Sequence, residues 1–121
     1  MNKTFFQGFE GAQIRGGFVI AHLDVADAPL ADALGREAIS RTHIIGKQLF
    51  VIIRPGLSEE ENSVTIYHEI LEAATVASID PPKAVRSFNE GDFEGAGYRA
   101  HEQFGQASPE NLDRMLQFYG F

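Results

Sequence analysis

The feature that most restricts this chain is one long helix whose two ends are both written in the sequence. Ser58 stands three residues before Glu61, the capping-box pattern, and Glu59 and Glu60 add negative charge where the helix dipole is positive. Pro81-Pro82 cannot continue a helix, so the segment runs from Ser58 to about Ser78. A helix of that length extends about 30 Å. On a wheel, Val64, Ile66, Tyr67, Ile70, Leu71, Ala73, Ala74 and Ala77 fill a broad apolar arc, and the remaining chain has to supply a surface that covers it.

The candidates for that surface lie on both sides. Ile14 to Leu23 reads as a strand, with Phe18, Ile20 and His22 on one side and Val19, Ala21 and Leu23 on the other. After a turn from Asp24 to Pro29, the spacing of Leu30, Leu34 and Ala38 predicts a short helix weakened by Gly35. Thr42 to Ile45 and Gln48 to Arg54 predict a β-hairpin around Gly46-Lys47, because glycine first in a two-residue loop suits a type II′ turn. Leu49 to Ile53 is apolar throughout, which predicts a central strand covered on both faces, and Pro55-Gly56 ends it. Pro81 to Gly91 reads as a loop, Asp92 to Phe104 as a helix softened by glycines. Ser108-Pro109 opens a last helix with Leu112, Met115, Leu116 and Tyr119 as its buried stripe. Strands early and helices late predict an α+β fold: one domain over residues 1–121, a small mainly antiparallel or mixed sheet of three or four strands under three to four helices.

Composition narrows the class. The 121 residues are 44% hydrophobic and 22% charged, as expected of a chain with a packed core. A net charge of −7 argues against nucleic acid and anionic membrane as partners. No stretch approaches the roughly 18 apolar residues of a membrane span. The first residues, Met1 to Gly17, lack the apolar run of a signal peptide. There is no cysteine, which removes disulfides, thiolate nucleophiles and thiolate metal sites together. A cytoplasmic location is the resulting expectation.

The chemistry is concentrated on the polar side of the long helix, where Thr65, His68, Glu69, Glu72 and Thr75 share one face. Such a face is what any amphipathic helix carries. Yet His68 and Glu72, at i and i+4, can also reach a common point, which is what a metal ion needs from a rigid element. Val51-Ile52-Ile53-Arg54-Pro55-Gly56, followed by the capped helix containing Val64-Thr65-Ile66-Tyr67-His68-Glu69-Ile70-Leu71-Glu72-Ala73, resembles the active-site helix of zincin-like metallopeptidases of the HExxH type. The likeness covers about forty central residues. It implies a zincin-like architecture, His68 as first ligand of a divalent metal, zinc foremost, and Glu69 as the general base toward a metal-activated water.

This chain departs from that pattern at Glu72, which stands where the family has its second histidine, giving HExxE. A carboxylate is an acceptable zinc ligand, but its charge lowers the Lewis acidity of the ion and favours a harder metal or none. The resemblance places a third ligand on a later helix, where Glu94, Tyr98 and His101 share a face. His101 is preferred because His68, Glu72 and His101 would leave a divalent ion with net positive charge, and Glu94 is the reserve. Tyr98 is the candidate oxyanion donor.

Other residues carry less. His22 and His43 read as structural, no G-x-S-x-G elbow exists, and Gly46-Lys47-Gln48 lacks the remainder of a phosphate loop. Gly95-Ala96-Gly97 is too short for a dinucleotide fingerprint. Glu69 and Glu72 lie on one helix surface and do not flank a cleft as glycosidase carboxylates do. Phe5, Phe6 and Phe9 suggest either core or an exposed docking patch. Two functions follow: a minimal zincin-type hydrolase acting on a peptide or protein substrate, or a metal-free, catalytically inactive zincin-like binding module.

Overall fold

A computed structural model describes residues 3–121. It is an α+β fold with a mixed four-stranded sheet, a two-stranded hairpin and four helices. In chain order these are α1 (Lys3–Gln7), β1 (Ala12–Ile14), β2 (Phe18–Val25), β3 (Leu30–Ala31), β4 (Glu37–Ala38), β5 (Ser40–Ile45), β6 (Gln48–Ile53), α2 (Glu59–Ala77), α3 (Glu90–Phe104) and α4 (Pro109–Phe118). The sheet order is β1-β2-β6-β5; β2 and β6 are parallel, and the two outer pairs are antiparallel.

The expected strand from Ile14 to Leu23 is two strands. Gly16 and Gly17 take φ of 86° and 79°, the left-handed region open to glycine, and turn the chain back so that Ile14 faces Phe18. Further along β2 the register slips between Ile20 and His22 against β6. That bulge resets the alternation: Phe18, Ile20 and Leu23 are all buried, while His22 turns out and meets Glu10, Nδ1 to Oε1, at 2.9 Å.

The predicted helix around Leu30, Leu34 and Ala38 is instead the small β3-β4 hairpin. Asp32 accounts for the difference. Its Oδ1 accepts from the amides of Leu34 at 2.8 Å and Arg36 at 2.9 Å, Gly35 takes φ of 77°, and Leu34 is exposed. The second hairpin follows expectation, with Ile45 opposite Gln48 and positive φ in the loop at Gly46 only. β6 is central, but its faces differ: Leu49, Val51 and Ile53 are fully buried, Phe50 and Ile52 half-buried.

α2 lays Ile66, Tyr67, Ile70, Leu71 and Ala74 into the core with the inward residues of β2 and β6. Ser58 and Glu61 form the capping box, and Ser78 caps the other end. Phe6 and Phe9 are core residues and Phe5 packs beside them, so the aromatic N-terminal cluster is no docking patch. Among the described residues no helix is long and apolar enough to cross a membrane.

Candidate functional site

The polar face of α2 looks into a groove between the edge strand β5 and α3. Ser40 and Thr42 alternate with the exposed Arg41 and His43 on β5, and so share the side that meets α2. Their hydroxyls donate to Glu69, Ser40 Oγ to Oε1 and Thr42 Oγ1 to Oε2, each at 2.8 Å. Both oxygens of Glu69 are thereby oriented from the sheet.

α3 reaches α2 at Gly97. A Cβ there would stand 2.7 Å from the Val64 carbonyl oxygen and 3.2 Å from His68 Cβ, so only glycine permits this approach. The two helices run antiparallel, since Glu90 lies beside His68 while His101, at the other end of α3, lies beside Ser63. The first turn of α3 is thus brought to the polar face of α2. His68 Nε2 is 3.0 Å from Glu90 Oε1, 3.5 Å from Glu72 Oε2 and 3.9 Å from Glu69 Oε1. This nitrogen is shielded from solvent, and no described residue hydrogen-bonds it although Glu90 Oε1 lies 3.0 Å away.

Donor atoms of His68, Glu72 and Glu90 all lie within 4.8 Å of one another. Burial, followed by a hydrogen bond with Glu90 and the charges of Glu90 and Glu69, pushes the Glu72 carboxyl up to about 7, against the opposing pull of His68. The group therefore keeps its proton to higher pH than an ordinary carboxyl does, and a cation bound between the three side chains would displace it.

The sequence-stated residues separate accordingly. His68, Glu69 and Glu72 are brought together. Glu94 and Tyr98 line the groove, which has a volume of about 380 Å³, without joining the donor group. His101 is not a member: its Nδ1 is 2.8 Å from Ser63 Oγ, which also accepts the Ala107 amide at 2.8 Å. Ser63 lies five positions from His68, about 7.5 Å along α2, so the preferred third ligand is a tie between elements instead.

Glu90 is the residue whose carboxylate joins His68 and Glu72, and sequence reasoning passed over it by starting α3 at Asp92. The missed signal is Asn89-x-x-Asp92, a second reciprocal cap that begins the helix at Glu90. Ser40 and Thr42 were missed as well, their period-two spacing beside an unpaired edge being the only hint. No protein-family model, no curated protein and no solved structure matches the chain.

Proposed function

We propose that this chain is a divalent-metal-dependent hydrolase acting on peptide bonds, with His68, Glu72 and Glu90 holding the ion and Glu69 carrying the proton. One observation carries the reading: His68 Nε2 is buried without a hydrogen-bond partner, with carboxylate oxygens at 3.0 and 3.5 Å. An orphaned buried nitrogen costs about 1–3 kcal/mol unless something binds it. Donor atoms at zinc-bond lengths in a tetrahedral array stand about 3.3–3.6 Å apart, close to these separations.

When bound, the ion would supply Lewis acidity, polarising a carbonyl and making water a better nucleophile at neutral pH. Glu72 and Glu90 offset a charge of two, and their oxygens suit manganese as well as zinc. Glu69 is held toward the groove by Ser40 and Thr42, ready to take a proton on one oxygen and return it to the leaving amine. Tyr98 stands at the groove as donor toward a developing oxyanion. The zincin likeness supports the same roles for His68 and Glu69.

Elemental analysis of protein purified without added metal, followed by calorimetric titration of Zn²⁺ and Mn²⁺ into EDTA-stripped protein, tests the reading. Near-stoichiometric binding is expected, lost in Glu72→Ala and Glu90→Ala and kept in Glu69→Gln and His101→Ala. Cleavage of a fluorogenic peptide pool should vanish in Glu69→Gln. A metal-free protein whose Tm ignores both ions would end it.

The 3.0 Å approach of Glu90 to His68 favours one other reading, a metal-free binding module in which the His68 ring serves as the internal partner of the Glu90 carboxylate. In that case neither ion binds, and the Tm is the same with and without EDTA.

A further inference from the structure

The groove has a chemical character beyond its donor group. Its floor is the polar face of α2, and its walls include Ile39 and Leu57 on one side and Tyr98 of α3 on the other. Ile39 and Tyr98 are about half exposed, at 53% and 50%, which leaves apolar surface facing the cavity uncovered. Between these walls stand Glu37, Glu61 and Glu94, together with Glu69 and Glu90, and neither lysine nor arginine lines the space.

These carboxylates are unequally compensated. Glu37 is paired with Arg54. Glu61 accepts the Ser58 amide of its cap and also feels the positive charge of Arg54, whereas Glu94, one turn along α3 from Glu90, has no partner among the described residues. A divalent ion held by His68, Glu72 and Glu90 would leave Glu69 and Glu94 without a cation and Glu61 sharing the single charge of Arg54 with Glu37, so the cavity stays anionic with or without it. Apolar walls ending in carboxylates match a side chain with an aliphatic stem and a cationic head.

We propose that the groove selects a peptide segment carrying an arginine or lysine side chain, the stem packed between Ile39 and Tyr98 and the charged head held by Glu61 and Glu94. This rests on the groove being the substrate site of the hydrolase proposed above, and it specifies which peptides that site takes.

Labelled hexapeptides differing only at one central position, arginine, lysine, norleucine or glutamate, are titrated into the full chain by fluorescence anisotropy, in EDTA and again with Zn²⁺. The arginine and lysine peptides should bind at least about tenfold more tightly than the other two, with affinity falling as salt rises. Glu94→Gln and Glu61→Gln should each weaken arginine-peptide binding about three- to tenfold and leave norleucine-peptide binding unchanged. Glutamine keeps the cap at position 61, so that variant retains its helix start. Equal binding of arginine and norleucine peptides, no binding of any peptide, or a preference that survives both substitutions would overturn the proposal. Selective binding in EDTA without cleavage under Zn²⁺ would uphold it while removing the hydrolase; cleavage without charge preference would do the reverse.

Discussion

A carboxyl group that loses water and gains carboxylate neighbours holds its proton longer, and Glu72 is in that position. Its ordinary value is 4.5 and its folded value about 7, so between those pH values the folded chain binds more protons than the unfolded one. Stability from this group is therefore greatest below about pH 4.5 and declines as pH rises through 7, the reverse of a salt-bridged carboxylate. The decline is on the order of 3 kcal/mol at most, less what solvent screening of this partly exposed group removes. Urea titrations in EDTA should show it between pH 5 and 8, and Glu72→Gln should flatten the profile; a variant profile parallel to the parent would contradict the assignment. Because a cation must displace the same proton, Zn²⁺ affinity should be about tenfold weaker at pH 6 than at pH 8.

At the scale of elements, the packing of α3 on α2 turns on the missing side chain of Gly97. Alanine would gain about 1 kcal/mol in helix propensity, yet its methyl group would meet a backbone oxygen that cannot move aside. Gly97→Ala is expected to destabilise the protein by about 1–3 kcal/mol and to weaken metal binding, since Glu90 shifts away from His68. Stabilisation in a denaturant series would refute the close approach. The starts of α2 and α4 were legible because capping is local: Ser58 with Glu61, Ser108 with Pro109. The His68, Glu69 and Glu72 face was legible for the same reason. The β3-β4 hairpin was not, because Leu30, Leu34 and Ala38 mimic helical spacing while the Asp32 side chain captures the backbone amides a helix would use. Nor was the bulge in β2, which exists only against β6. Glu90 stayed hidden partly through its unread cap and partly because its nearness to His68 depends on how two helices cross.

Across the whole molecule, the second half of α3 is tied to α2 by groups distant in sequence. Ser63 is fully buried between His101 and the Ala107 amide, and Tyr67 Oη donates to the Gly105 carbonyl at 2.8 Å. Burial pushes the Tyr67 hydroxyl up to about 12, so it remains a donor throughout the neutral range. Ser63→Ala strands a buried amide and should cost about 1–3 kcal/mol in urea unfolding without changing metal stoichiometry. Loss of metal in that variant would mean that His101 belongs to the site after all. The donor group has a consequence for the chain as a polymer. Glu72 and Glu90 are about 18 positions apart, joined by a connection that contains Pro81 and Pro82. An ion gripping both would be a cross-link, deleting conformations from the unfolded ensemble by a loop-closure entropy worth about 3 kcal/mol. It would fasten this connection whether or not a substrate ever arrived, and chelation would then register first as a lower melting temperature.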